Sequence, residues 1–530
     1  MDVRADIHLL ARAHQYRLHP SALAILSEHV PSFGASIEHR RSALRELFSL
    51  LHKFCEADRF VDVEKMKSAI ELQLSKSRGV SEDPSSYVIS LGLEDIPYVY
   101  VDERSNEIKV QPIHQGDRFT ALRQRYLFAR RRCLRSGLFR RDLGKQSIDR
   151  DQPPLVPSIA LEGTDPSETL AVLGILIDNA DGTYLEDLYG RVKLVLHRDV
   201  RYSMGMVGDG LLVVAKGQWM NGALTVASLS LPPAEKREDT LKDTGPDCDL
   251  FGRRPVDVAV AFAREKMALR SVIVVLSQIY LDQHSTVTRL ASFFSEMQNR
   301  SEVELADTTI VLVGNLCSTA IHYDDVSHLP EPFEGCDRYR SLMDTLATVI
   351  LAHAPNVAQY TQVVIVPGPG DATALLGVLP QPPIVSSFAK TLQTRLKRVV
   401  FAPNPCRLRF FTHEIVIARR DFSRSLRERA RVFSHYSEGT ATTIFDDVAK
   451  TIMDQAHLAP EVKEGILWKA DGVLSLPVLP HLLVLCDSTE QWECSYKNVR
   501  VINPGSFSIG RTFLWYTPAD GECSLSSIEP

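Results

Sequence analysis

Val272-Ile273-Val274-Val275-Leu276-Ser277-Gln278-Ile279-Tyr280 is the stretch that decides the fold. An apolar, β-branched run of strand length stops abruptly at polar side chains. The same shape returns in Val313-Gly314-Asn315-Leu316-Cys317-Ser318, in Val366-Pro367-Gly368-Pro369-Gly370-Asp371 and in Val501-Ile502-Asn503-Pro504-Gly505-Ser506. Strands at 272–276, 309–313 and 363–366 alternate with helical patterns at 286–296 and 339–352, which reads as a layered α/β domain over 257–530. Runs at 407–411, 415–418 and 482–485 supply a second sheet. Ligands of such domains gather beyond the carboxyl ends of strands, so a site belongs at these turns.

Upstream the texture changes. Five short runs at 171–177, 183–188, 192–196, 211–215 and 223–229 are separated by Asn179-Ala180-Asp181-Gly182, Gly208-Asp209-Gly210 and Asn221-Gly222. Five strands in this space predict a small closed barrel of the oligonucleotide-binding type, within a domain of 151–256 that includes a trailing linker at 232–255. Tyr184 and Trp219 are isolated, so the barrel lacks a row of aromatics for stacking bases. Residues 81–150 read as a linker with a strand pair at 98–101 and 108–110, then a basic stretch over 118–141. That stretch holds Arg123, Arg125, Arg130, Arg131 and Arg132 without an acidic residue. It fits phosphate contact or a nuclear-import signal, or a helix packed by its apolar residues on the next domain; arginine runs carry no base information, so packing takes precedence. Residues 1–80 predict a helical module, with stripes at Ile7, Leu10, His14 and Leu18, at Leu44, Phe48, Leu51 and Cys55, and at Val63, Met66, Ile70 and Leu74. The polar stretch 77–86, with Gly79 and Pro84, marks its boundary.

Composition sets limits. The 530 residues need several cores, and a formal net charge of -6 is unsuited to gripping nucleic acid by the whole surface. Nine cysteines without a C-x-x-C pair argue against zinc ribbons and disulfide scaffolds and fit a reducing compartment. The N-terminus, Met1-Asp2-Val3-Arg4-Ala5-Asp6, lacks an apolar signal core, and the longest apolar runs are strand-length, so no membrane is expected.

The order of strand-end turns resembles the calcineurin-like metallophosphoesterases, whose D-x-H, G-D-x-x-D, G-N-H-D/E and G-H-x-H motifs hold two metal ions. Carried over position by position, the first motif falls on Gln278 and Tyr280, and the second on Asn315 and Ser318. The third falls on Pro369 and Gly370, leaving Asp371, and the last on Asp487 and Thr489. His457 matches one further family histidine. Two divalent ions about 3.5–4 Å apart need a bridging carboxylate, which an asparagine amide cannot replace. The resemblance therefore implies an inactive phosphoesterase domain with no metal, no cofactor and no catalytic residue.

An inactive phosphoesterase domain behind a small barrel resembles the B-subunit family of the eukaryotic replicative DNA polymerases, and within it the epsilon branch. The resemblance runs through Val275-Leu276-Ser277-Gln278-Ile279-Tyr280-Leu281-Asp282, Gly314-Asn315, Val366-Pro367-Gly368-Pro369 and Leu379-Pro380-Gln381-Pro382-Pro383. It continues through Asn404-Pro405-Cys406-Arg407, Thr412-His413-Glu414-Ile415, Gln455-Ala456-His457-Leu458 and Ile502-Asn503-Pro504-Gly505-Ser506-Phe507, with Arg125-Tyr126 upstream. The turn formers among these serve the backbone rather than chemistry. The family implies a nuclear, non-catalytic scaffold of DNA replication that binds the cysteine-rich C-terminal domain of the polymerase catalytic subunit. It also implies a helical N-terminal module linked to the replicative helicase assembly, with DNA met indirectly or weakly. The rival readings are an active metallophosphoesterase or nuclease built on His457, Asp371, Asp487 and His413, a single-strand DNA-binding module, and the alpha or delta branch of the same family.

Overall fold

The computed structural model describes residues 3–30, 37–51, 55, 59–76, 87–111, 116–139, 152–245, 248–255, 257–321, 334–373, 377–432, 443–462 and 465–528. The expected boundary at 77–86, and Arg140 and Arg141 of the basic stretch, lie outside them. The chain divides into two compact units, Met1–Tyr87 with Arg254–Met267, and Val88–Arg253 with Ala268–Pro530.

The first unit is helical. Val3–Ala13, Pro20–His29, Ile37–Leu50 and Val63–Lys76 enclose a core that includes Ile7, Leu26, Leu44, Phe48, Met66 and Ile70. The stripe expected to run from Ile7 to Leu18 stops at Ala13, because Gln15 adopts a left-handed conformation at φ 61°. Leu18 instead lies in a two-residue strand paired with Phe60–Val61. The helix Val258–Met267 belongs to this unit, tied by Lys67 Nζ to Asp257 Oδ2 at 2.8 Å. The α/β part therefore starts at 268 rather than 257; the first six residues of the helix, Val258–Ala263, are all apolar, so its periodicity does not say which neighbour it serves.

The second unit holds the barrel and two six-stranded sheets. The barrel strands are Leu170–Asn179, Gly182–Glu186, Arg191–Tyr202, Leu212–Met220 and Ala223–Ser230, closed by antiparallel pairing of the first with the fourth. Asn221 and Gly222, both at positive φ, make the tight hairpin that their sequence demands. The first sheet runs in the order Val399–Phe401, Gln362–Val366, Thr308–Val313, Val272–Ser277, Thr512–Thr517, Glu522–Ser527, with the first four strands parallel. The second runs Trp492–Tyr496, Val499–Asn503, Leu482–Cys486, His413–Arg419, Cys406–Phe410, Val88–Leu91.

Side chains alternate across both sheets with the strand period of two. Ile273, Val275, Val311 and Val364 share a core with Leu408, Ile415, Ile417 and Val484, so the two sheets pack face to face. Val274, Leu276, Ile310 and Leu312 point the other way, onto the helices His284–Gln298 and Glu334–His353. Val416, Leu483 and Leu485 meet Val448 and Ile452 of the helix Ile444–Gln455 on the far side. The result is four layers, helix, sheet, sheet, helix.

Two stretches expected to be linkers are built into this unit. Val88–Leu91 completes the second sheet, Tyr98–Asp102 and Glu107–Gln111 form a hairpin, and Arg118–Arg135 is a helix whose Tyr126, Ala129 and Cys133 cover the barrel at Ala171, Leu173 and Val214. Within 232–255 lie the helix Arg237–Thr244 and the buried Phe251, with the guanidinium carbons of Arg407 and Arg409 5.2 and 5.1 Å from its ring centroid. Polar composition hid this anchoring, because one aromatic and a few ion pairs carry it.

The helix Ile444–Gln455 joins barrel to sheets by a polar stripe. Gly205 N donates to Asp447 Oδ1 at 2.8 Å, Met206 N to Thr451 Oγ1 at 2.8 Å and Ala234 N to Asp454 Oδ1 at 3.0 Å. Gln455 takes both backbone groups of Leu212, accepting from N at 3.1 Å and donating to O at 2.7 Å. These are buried backbone groups that the barrel ladder leaves unpaired, and one helix satisfies them.

Candidate functional site

The strand ends converge as the sequence predicts, and their polar side chains are spent on one another. Gln278 follows its strand in a left-handed conformation (φ 55°) that turns the chain out of the sheet. Its Nε2 donates to the carbonyl of Asp487 at 3.2 Å, and its Oε1 accepts from the Tyr280 hydroxyl at 3.3 Å. Ser508 Oγ holds the backbone on both sides, donating to Gln278 O at 2.6 Å and accepting from Tyr280 N at 2.8 Å. Burial pushes the Tyr280 phenol up, against the opposing charge of Arg419.

Asn315 Oδ1 accepts from Gly370 N at 3.3 Å, and Ser318 caps Asp282 through N at 2.9 Å and Oγ at 2.5 Å. Pro369 lies on the wall of an adjacent cleft of about 380 Å³, with Leu379, Gln381, Arg420, Arg424 and Ile466. Asp371 is fully buried, and its two oxygens accept from Leu316 N at 2.8 Å and Gly368 N at 2.7 Å. Burial pushes its carboxyl up to about 6, while those hydrogen bonds and Arg419 resist the shift. The turn tolerates only glycine at 314 and 368, where a Cβ would sit 1.9 Å from Asp371 Oδ2 and 2.2 Å from Asn315 Oδ1.

Asp487 is committed to structure. Its Oδ2 accepts from Ser423 N at 2.8 Å in the first turn of the helix Phe422–Arg427, and its Oδ1 from Ser488 N at 2.7 Å. Thr489 Oγ1 accepts from Asn503 Nδ2 at 3.0 Å.

The residue that sequence reasoning missed is Arg419, the last of its strand and only 4% exposed. Its Nη1 donates to Asp421 Oδ1 at 2.8 Å and to the carbonyl of Cys486 at 3.2 Å. Asn404 clamps its backbone, accepting from N and donating to O, each at 2.9 Å, and also donates to Gln381 Oε1 at 2.8 Å. Gln381 in turn donates to Gly368 O at 3.0 Å. The field of Arg419 acts on Asp371 and Tyr280, so a fixed cation sits among the strand ends. The amides at 381 and 404 lie in Leu379-Pro380-Gln381 and Asn404-Pro405, turn motifs whose polar member was the available signal.

His457, Asp371, Asp487 and His413 are not assembled into one site. His457 Nδ1 accepts from Ala459 N at 3.0 Å and its Nε2 lies 3.3 Å from Asp471 Oδ1; burial, aided by Arg125, holds the imidazole below its ordinary range. His413 begins the strand that Arg419 ends, stacked on His481 at 4.4 Å and bonded to the Tyr516 hydroxyl at 2.5 Å. Among the described residues no three His, Cys, Asp or Glu side chains cluster as a metal site requires. None of the described helices is long and apolar enough to cross a membrane.

Arginines of this helix pair with protein groups of the same chain, in line with the packing that the sequence favours over phosphate contact. Arg125 grips Asp471 through two nitrogens, at 2.5 and 3.2 Å, and Pro460 O at 3.1 Å. Arg132 donates to Asp454 O at 2.7 Å, Arg131 pairs with Asp243 and Arg123 with Glu103. Arg130 is half-buried beside Tyr126. The acids come from far along the chain, so the stretch looks uncompensated when read alone.

Two family models match in tandem: the OB-fold domain of DNA polymerase epsilon subunit 2-like proteins over residues 115–233, and the DNA polymerase alpha/epsilon B-subunit over residues 273–494. The DNA polymerase epsilon B-subunit of Arabidopsis thaliana is 28% identical over 88% of this chain and 88% of its own length. The DNA polymerase epsilon subunit 2 of Homo sapiens is 25% identical over 92% and 96%. The epsilon B-subunit of Saccharomyces cerevisiae is 25% identical over 69% of this chain and 60% of its own. Among solved structures, an archaeal phosphodiesterase overlaps 48% of this chain and 99% of its own at 11% identity and a TM-score of 0.24. With the barrel and most of the α/β domain matched in order by these models, and relatives of one kind matched over about nine-tenths of the chain, the chain belongs to the DNA polymerase epsilon B-subunit family.

Proposed function

We propose that this chain is the non-catalytic accessory subunit of the replicative DNA polymerase epsilon, a nuclear scaffold on a calcineurin-like frame whose chemistry has been removed. The observation that carries the reading is the satisfied strand-end centre. Gln278, Tyr280, Asn315, Asp371, Asp487 and Thr489 are bound to one another or to backbone, and Arg419 supplies the positive charge in their midst. The donor set does not fit the two metal ions of that fold. The bridging position offers a neutral amide, each oxygen of Asp371 already accepts from a backbone N–H, and a buried guanidinium repels a divalent ion. No proton donor stands at Pro369 or Gly370.

A frame kept without its chemistry serves through its surfaces. The partner is the polymerase catalytic subunit, whose cysteine-rich C-terminal domain docks across the barrel and the α/β domain; permanent partners bury more than about 2,000 Å². The helical first unit links toward the replicative helicase assembly, and DNA is met indirectly, since Arg123, Arg125 and Arg131 are already paired with acids of the same chain. The test is co-expression of the full chain with the C-terminal domain of the catalytic subunit, followed by size exclusion in low and moderately high salt. Co-elution in both is expected, with no manganese-dependent turnover of bis-p-nitrophenyl phosphate. Separate elution in both salts, or turnover abolished by Asp371→Ala, overturns the reading.

A further inference from the structure

The two six-stranded sheets end in four edge strands, and three of them are blunted in ways that discourage pairing with another chain. Val399–Phe401 and Val88–Leu91 are three and four residues long, and Trp492–Tyr496 carries Glu493. The fourth, Glu522–Ser527, is six residues long, and from Cys523 to Ser527 it holds no charge and no proline. Its register against Thr512–Thr517 runs without a bulge. Ile528 N donates to Arg511 O at 3.1 Å, and antiparallel pairs alternate, so Ser526, Ser524 and Glu522 spend their backbone groups on that neighbour. Cys523, Leu525 and Ser527 turn their N–H and C=O outward, where no described strand pairs with them.

The surroundings of this edge say what strand suits it. The segments 486–496 and 516–530 meet there, and neither contains a lysine or arginine. Gln491 Nε2 donates to Ser526 O at 3.3 Å and Arg500 Nη1 to Gly521 O at 2.7 Å, which brings the rim of the second sheet alongside. At the hairpin end Asp520 and Glu522 are both exposed, and neither is in a salt bridge with a described residue. The cations that come near are engaged: Arg500 pairs with Glu493 at 2.5 Å, and the guanidinium carbon of Arg300 lies 4.3 Å from the centroid of the Trp515 ring. Arg511 stands at the other end of the strand, opposite Ile528. The hairpin end is therefore negative, and it selects a positive complement. Val88, the first residue of the second unit, lies on the far edge of the second sheet.

We propose that Glu522–Ser527 is an acceptor edge for an extended segment of a partner protein, uncharged along its length and carrying lysine or arginine at the end that meets Asp520 and Glu522. The segment adds a strand by bonding to the outward groups of Cys523, Leu525 and Ser527, and its cations set which way it runs. The edge itself holds no lysine or arginine, so a second copy of the strand does not supply that complement. None of these groups belongs to the strand-end centre, and the site does not depend on what binds the barrel.

The probe is a fluorescein-labelled peptide of alternating threonine and valine with lysines at both ends, titrated against the full chain by anisotropy. One control peptide has glutamate at every lysine position; a second keeps the lysines but is N-methylated along its backbone, which removes its strand-pairing N–H groups. The lysine peptide binds, and added salt weakens it. Glu522→Lys, at an exposed position, lowers its affinity about tenfold. Leu525→Pro removes an outward N–H that the sheet does not use and abolishes binding. Neither control peptide binds. The proposal falls if the lysine peptide fails to bind, if it binds the Glu522→Lys chain equally well, or if the glutamate peptide binds as tightly. Equal binding of the N-methylated peptide would overturn strand addition in favour of charge alone. Dimerisation of the full chain that Leu525→Pro abolishes would assign the edge to a second copy and overturn the proposal as well.

Discussion

Arg419 decides how the strand-end centre is held together. Its guanidinium is buried beside Asp421 and acts on Asp371, whose carboxyl titrates near 6 in the fold. A carboxylate raised in the folded state costs stability as pH climbs from its unfolded value near 4 to its folded one, and Arg419 limits that cost. Arg419→Met should therefore lose more stability at pH above 7, where Asp371 is ionised, than at about pH 5, where it is protonated; the deficit at the higher pH is about 2–3 kcal/mol. Urea unfolding at the two pH values checks this, and equal deficits would show that Arg419 acts only through packing and Asp421. Asp471 makes the opposite case. Burial opposes its ionisation, yet His457 and Arg125 hold it below the ordinary carboxylate range. That stability is present above the unfolded value near 4 and is lost as pH falls. Arg125→Met should cost roughly 3–5 kcal/mol at neutral pH, and its gap from the parent should narrow below about pH 4. Gln278, Asn315 and Asp371 were legible in the sequence because strand ends are where a site must lie. Arg419 was not, since an arginine after a strand reads as solvated until Asn404, Gln381 and Asp421 are seen around it.

At the scale of elements, hydrophobic period carried the reading and polar partners escaped it. The five barrel strands and the central strands of both sheets announce themselves by apolar runs between turn formers. The helix Ile444–Gln455 does not announce that it is buried on two sides, because Asp447, Thr451, Asp454 and Gln455 look like a solvent face. Their partners are backbone groups more than 200 residues away, which no local pattern encodes. The packing of the arginine helix was legible from its apolar residues, but its acid partners at Glu103, Asp243 and Asp471 were not. Gln455→Leu keeps the volume but strands both backbone groups of Leu212, so it should cost about 2–4 kcal/mol although it adds apolar surface. The loss should appear in amide exchange as faster exchange along Leu212–Met220, the strand that Gln455 holds. Unchanged exchange there would mean the barrel keeps its register without the helix.

For the whole molecule, the division of cores predicts how the chain comes apart. The cluster around Ile7, Phe48 and Ile70 contains only residues of the first unit, and every other buried cluster lies in the second. Barrel and sheets share the polar stripe of Ile444–Gln455 and the cover of the arginine helix, so they should melt as one cooperative body. The helical unit has a small core of its own, which makes it the weaker partner in a chain too large for two-state behaviour. Phe48, fully buried, is the test residue. Phe48→Ala removes roughly 3–5 kcal/mol from the unit that holds it. Calorimetry of the parent should resolve two transitions, and the variant should lower the first while leaving the second in place. Val213→Ala, inside the barrel, should do the reverse, lowering the second transition for barrel and sheets together. A single transition shifted by both substitutions would mean that the two units fold as one, and a barrel that melts apart from the sheets would mean that the helix stripe does not couple them.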